Sequence, residues 1–174
     1  LAEKQQLVST ISRLQLRPVR LINTHAHIDH ILGNRFVADT YGLELEIHAD
    51  EVNMLRQASQ VAAFYGIEYP EVSPEPGRFI TSGDLITFGE TSLEARYTPG
   101  HSPASLSFYC PDSGFVIAGD VLFRDSIGRT DLPGGNEALL LKSIREQLFI
   151  LPDEVVVYPG HGPKTTIGYE RQHN

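Results

Sequence analysis

Three of the seven histidines in this 174-residue chain fall, with one aspartate, in the run Thr24-His25-Ala26-His27-Ile28-Asp29-His30. Imidazole and carboxylate both ligate divalent transition metals. The preceding residues, 19–23, read as a short buried strand, so the run stands where a strand ends. In extended backbone, residues two apart face the same side. His25 and His27 can therefore point at one metal, and Asp29 and His30 at a second once the chain turns.

Three further candidate ligands recur in the same setting, just past a strand. His101 lies in Thr98-Pro99-Gly100-His101-Ser102, Asp120 in Ile117-Ala118-Gly119-Asp120, and His161 in Tyr158-Pro159-Gly160-His161-Gly162. Loops held at strand ends by a rigid sheet are where functional residues concentrate. A glycine before each ligand lets the backbone turn sharply and leaves room for an ion. Together with the first run they make seven candidate ligands, enough for a site with two metals. His48 and His173 fit no such motif.

The rest of the chain mixes helices and strands. A helix is expected over residues 2–15, with Leu7, Ile11 and Leu14 on one face. Another runs over 33–41, ended by Gly42, and is followed by a strand at 45–48. Asp50 then caps a helix reaching residue 64. Residues 66–77 hold three prolines and read as a loop. Short strands follow at 85–88, 93–98, 105–109 and 115–118. A polar loop covers 123–135, a helix 137–151, a strand 155–158, and a short helix begins near Thr165. Repeats and low-complexity segments are absent from the sequence.

Length and composition fit one globular domain over residues 1–174. The net charge of −8 argues against nucleic acid as a partner, because polyanions are held by basic surfaces. Two bound divalent cations would still concentrate positive charge at one site and attract an anionic substrate. No apolar run approaches the roughly 18 residues of a membrane helix, so no membrane partner is expected. The single cysteine, Cys110, excludes an internal disulfide and reads as a buried strand residue. With no signal-peptide pattern at the start, a cytoplasmic location is expected. Oligomeric state leaves no signature in the sequence.

The four ligand-bearing elements, in this order and at these separations, resemble the metallo-β-lactamase superfamily across nearly the whole chain. The resemblance implies an α/β (α+β) fold, a four-layer αββα sandwich with two metals at one sheet edge. It implies that His25, His27 and His101 hold one metal, that Asp29, His30 and His161 hold the other, and that Asp120 bridges them. Within the superfamily, Asp120 and the loop Ser126-Ile127-Gly128-Arg129-Thr130-Asp131-Leu132-Pro133-Gly134-Gly135 are most similar to the small single-domain glyoxalase II-like branch of bacteria. Zinc β-lactamases usually carry cysteine or serine where Asp120 stands. Members of the family also have opening strands before the first helix, which a chain starting at Leu1 lacks. Full glyoxalase II enzymes add a C-terminal helical domain that helps bind glutathione, whereas this chain ends at Asn174.

The activity so implied is hydrolysis of a small-molecule thioester, S-lactoylglutathione or a related acyl thioester, by a metal-bound hydroxide. Two divalent ions are expected, zinc first, with iron or manganese also suited to the donors. Asp120 and Asp29 are the catalytic candidates, Asp29 as a group that orients the nucleophile or accepts its proton. No Gly-x-Ser-x-Gly elbow is present, so no serine triad is needed. Arg129 and Arg124 are candidate contacts for an anionic product, and Tyr158 for substrate. Arg129 pairing with Asp131, and Tyr158 in the core, are the structural alternatives. Two other functions share the motifs. Persulfide dioxygenases resemble this branch and hold one iron at positions matching His25, His101 and Asp120. A non-catalytic metal-binding protein could keep the same fold.

Overall fold

A computed structural model of the chain describes residues 2–69 and 71–174, with the side chain of Ala2 excepted. Pro70, one of the three loop prolines, lies outside the described residues. The helices are α1 (Ala2–Arg13), α2 (Ile28–Ile31), α3 (Asn34–Tyr41), α4 (Val52–Tyr65), α5 (Glu137–Ser143) and α6 (Ile167–His173). The strands are β1 (Leu21–Ile22), β2 (Leu45–Ile47), β3 (Pro76–Phe79), β4 (Leu85–Phe88), β5 (Thr91–Tyr97), β6 (Leu106–Cys110), β7 (Phe115–Gly119), β8 (Leu122–Phe123), β9 (Ser126–Ile127), β10 (Val156–Pro159) and β11 (Thr165–Thr166).

The strands form a three-stranded sheet, β1-β2-β3, a six-stranded sheet, β11-β10-β7-β6-β5-β4, and the small hairpin β8-β9. Three apolar clusters show how the layers stack. Leu45 and Ile47 of β2 pack with Ile31, Leu55 and Ala58, joining the small sheet to α2 and α4. Ile86, Leu93, Ala95, Leu106 and Phe108 lie on the other sheet's inner face, with Ile22 of β1 packed against them. Val116, Ala118 and Val157 face outward onto Leu140, Ile144, Leu148 and Ile167, the helices of the far side. Alternate residues of one strand point to opposite faces, so a central strand such as β7 feeds two clusters. The order is helix, sheet, sheet, helix: the αββα sandwich. Cys110 is fully buried at the end of β6.

Several boundaries differ from expectation. The first helix stops at Arg13 because Gln15 takes a left-handed backbone, φ 52°. Leu7 and Leu14 on its apolar stripe remain exposed. Of residues 19–23 only Leu21 and Ile22 are strand, in register with Leu45 and Glu46 of β2, and the Asn23 N–H adds one last bond to the Glu46 carbonyl. Asp50 caps nothing: the Nδ1 of His48 accepts from the Asp50 N–H and opens a 3₁₀ turn, Ala49–Glu51, ahead of α4. The loop expected over 66–77 ends early, because Pro76 starts β3 in parallel pairing with β2. The loop over 123–135 contains the β8-β9 hairpin. The helix over 137–151 is α-helical only to Ser143, and a π turn, Ile144–Leu148, follows. Thr165 is paired in β11, and Thr166 caps the last helix through the Tyr169 N–H.

Candidate metal centre

Strand direction brings the candidate ligands to one edge. β7 and β10 run parallel, so Asp120 and His161, just past their ends, leave the sheet on the same side. β5 is antiparallel to β6, and β6 to β7, so the end of β5 faces that edge too and delivers His101. The histidine run reaches it from the other sheet, where the Thr24 carbonyl accepts from the N–H of Leu106 at the start of β6. Asp29 and His30 sit in the short helix α2.

All seven residues meet there. His25, His27 and His101 form one group able to hold a metal ion, and Asp29, His30 and His161 another. A third group, His25, His30 and Asp120, lies between them. His27 Nδ1 and His101 Nε2 approach to 2.8 Å. His161 Nε2 lies 2.9 Å from Asp29 Oδ2. The Asp120 carboxylate spans both groups: Oδ2 is 3.6 Å from His101 Nε2 and 3.5 Å from His161 Nε2, and Oδ1 is 3.4 Å from His30 Nε2. His25, His101 and Asp120 are buried, whereas Asp29 and His161 are exposed and mark the open side.

The donor set fits a cation. His25 Nε2, His30 Nε2 and Asp120 Oδ1 are buried and have no hydrogen-bond partner among the described residues. Buried polar atoms are seldom left so, and lone pairs that converge without a donor are what a metal satisfies. Protonation suits ligation at His25 and His27. Burial, then the charges of His30, His27 and His101, push His25 well below the usual histidine range. Burial, then His101, brings His27 down to about 4. For His30 burial acts downward, but Asp120 outweighs it and the net shift is upward. Burial works to raise Asp120, yet its contact with His30 and the surrounding imidazoles hold it below the usual carboxylate range.

Neighbouring groups aim the ligands. His101 Nδ1 faces the Arg129 carbonyl at 2.8 Å, so it carries the proton and leaves Nε2 as a lone pair. Thr24 Oγ1 lies 3.0 Å from His25 Nδ1 and orients that ring. Glu51, fully buried, ties two ligand segments together. Its Oε2 accepts from the N–H of Ala26, between His25 and His27, at 2.9 Å. Its Oε1 accepts from Ser102 Oγ at 2.6 Å and from the Ala104 N–H at 2.7 Å, beside His101. Nothing in the sequence singled out Glu51, which looks like an ordinary first-turn acid. Gly160 has to be glycine, because a Cβ there would stand 2.1 Å from Asp120 Oδ1.

Both arginines expected to contact substrate are ion-paired with acidic neighbours. Arg129 is held by Asp131 through two hydrogen bonds of 2.7 Å. Arg124 pairs with Asp125 and lies over the Tyr169 ring. Tyr158 is in neither the core nor the metal groups; it is exposed and meets Phe115 edge-on. The cavity beside the centre is instead a groove of about 330 Å³ between α4 and the Leu132-Pro133 turn, with Ala26, His27 and Ile28 on the near wall.

A family profile described as Metallo-beta-lactamase superfamily matches residues 3–161. The chain belongs to the metallo-β-lactamase superfamily. Among relatives of this superfamily member, the Bacillus subtilis (strain 168) "Probable metallo-hydrolase YqgX" is 40% identical over 175 residues, covering 99% of this chain and 82% of that protein. The Haemophilus influenzae "Hydroxyacylglutathione hydrolase GloC" is 30% identical over 173 residues, with 99% and 82% covered. The crystal structure of BLEG-1 B3 metallo-beta-lactamase matches with TM-score 0.90 at 37% identity, over 98% of this chain and 82% of that one. That of TTHA1623 in a di-iron-bound form also matches with TM-score 0.90, at 35% identity, over 98% and 83%. No helix among the described residues is long and apolar enough to cross a membrane.

Proposed function

We propose that this protein is a metal-dependent hydrolase of acyl thioesters, of the S-lactoylglutathione type or related, working through a binuclear centre. His25, His27 and His101 hold one divalent ion, and Asp29, His30 and His161 the second, with Asp120 between them. Zinc is the first choice, and iron or manganese suits the same donors. One observation carries the reading: the Asp120 carboxylate stands within 3.6 Å of ligand nitrogens from both groups. The relative named hydroxyacylglutathione hydrolase and the di-iron neighbour support it.

When bound, the cations supply Lewis acidity that polarises the scissile carbonyl and acidifies water. The chain's own residues do the rest. Asp120 sets the separation of the two ligand groups. Asp29, exposed at the open side and 2.9 Å from His161 Nε2, orients the nucleophile and takes its proton. The Arg129 carbonyl keeps His101 in one tautomer, so its Nε2 is never lost to a proton on the wrong nitrogen. Two of the five Arg129 guanidinium donors are held by Asp131, which braces its loop.

The test is thiol release from S-lactoylglutathione by metal-loaded protein, run beside a β-lactam because of the BLEG-1 likeness. Thioester cleavage that Asp120→Ala abolishes, with a fall in bound metal, is the expected result. Activity surviving that change would overturn the bridging role. A β-lactam cleaved in preference would overturn the substrate class.

A further inference from the structure

Beside the centre, α4 turns apolar side chains into the groove rather than into the core. Its buried stripe is Leu55, Ala58 and Ala62. Phe64, Tyr65 and Val61 instead stand 83%, 59% and 36% exposed, and with Met54 they face Leu132 and Pro133 across the groove. Apolar surface gathered in one concave place marks a binding site more often than scattered exposure does. His27 belongs both to this lining and to the metal-ligand group. A molecule reacting at the centre therefore has its nearest cover here.

The lining contains no lysine, arginine, aspartate or glutamate; its polar members, besides His27 and the Tyr65 hydroxyl, are Gln57 and Gln60. Arg129, the charged neighbour of Tyr65, is neutralised by Asp131. A glutathione moiety brings two carboxylates, and neither has a free cation to meet in this groove. We infer that the groove between α4 and the Leu132-Pro133 turn binds an uncharged, apolar substituent next to the scissile bond, so that, among the acyl thioesters cleaved at the centre, those bearing such a group are favoured over glutathione conjugates. The inference rests on the hydrolase reading for its chemistry, but the groove itself does not depend on metal.

Two measurements separate the claims. The first is kcat/KM of the metal-loaded protein along two series, acyl groups from acetyl to hexanoyl on one small neutral thiol, and acetyl thioesters of lengthening alkyl thiols. Burial of each added methylene is worth about a fourfold rise, and the series that shows it tells which side of the bond the groove takes. Val61→Lys, which puts a charge in the groove, should flatten that rise while metal content by elemental analysis stays unchanged. The second uses metal-free protein. Met54 is the only methionine in the sequence and lines the groove, so its ¹³C-labelled methyl, assigned with Met54→Leu, reports occupancy directly. Hexanamide should shift this signal, and S-methylglutathione should not. Thioester cleavage with no length dependence in either series and no Met54 shift would overturn the groove and leave the hydrolase reading standing. A Met54 shift with no thioester cleaved would do the reverse.

Discussion

Glu51→Gln keeps shape and volume and removes one acceptor from a buried junction. Glu51 takes three hydrogen bonds, from the Ala26 N–H on one oxygen and from Ser102 Oγ and the Ala104 N–H on the other. A glutamine has only one oxygen, so its amide must face a donor on one side. If the amide faces Ala26, a buried backbone N–H loses its partner, a cost of about 1–3 kcal/mol. The two bonds that remain go to a neutral acceptor and weaken by about 1 kcal/mol each. Relief of a buried charge offsets part of this, leaving a net loss of about 3 kcal/mol. In a chain of this length that lowers the melting temperature by about 6–12 °C. Because Ala26 lies between His25 and His27, and Ser102 follows His101, the change should also weaken metal binding by about 10- to 100-fold. Calorimetry of the metal-free protein and a competition titration with a chelating dye measure the two effects. A melting point within about 1 °C of the parent, with unchanged metal affinity, would refute the role given to Glu51.

Other expectations follow from the same geometry. Gly160→Ala sets a methyl group against Asp120 Oδ1; overpacking of this kind costs about 1–3 kcal/mol, and metal content by elemental analysis should fall. In the metal-free protein His27 titrates near 4, against about 6.5 when unfolded. The unfolded chain then binds the extra proton between those values. This contribution is complete above pH 6.5 and is lost as pH falls toward 4, up to about 3 kcal/mol. His25 acts with the same sign and His30 with the opposite one, so histidine NMR titration is the cleaner readout, and a His27 value near 6.5 would contradict the burial argument. The Arg129 hydrogen bonds hold the Asp131 carboxyl down to about 2. Arg129→Ala should raise it in a carboxyl NMR titration, the remaining backbone hydrogen bond still holding it partly down, with little change in thioester turnover. A large fall in turnover would restore Arg129 as a substrate contact.

The ligands were legible because each sits on a local pattern, an apolar strand followed by a turn. Strand order and direction, which no local pattern encodes, are what gather His25–His30, His101, Asp120 and His161 at one edge. The layer order followed from the resemblance, and the structure adds the three clusters that hold it. Groups that act at a distance were not legible. Glu51 joins segments half a chain apart, two of its three donors being backbone N–H groups, and a backbone donor has no sequence identity. The Arg129 carbonyl is likewise invisible, because only the guanidinium is specified by residue type. The groove was missed because Val61, Phe64 and Tyr65 interleave with the buried stripe of α4 and read as part of one apolar helix. Short pairings such as β8-β9 escaped because two-residue strands carry no periodicity.

Two groups of ligands, joined by Asp120, should hold two metals at once. Elemental analysis of freshly purified protein, referred to protein concentration by quantitative amino-acid analysis, tests it directly. Two divalent ions per chain are predicted, falling in Asp120→Ala. One iron per chain, with oxygen consumed on glutathione persulfide, would contradict the account and turn the same residues to sulfur oxidation.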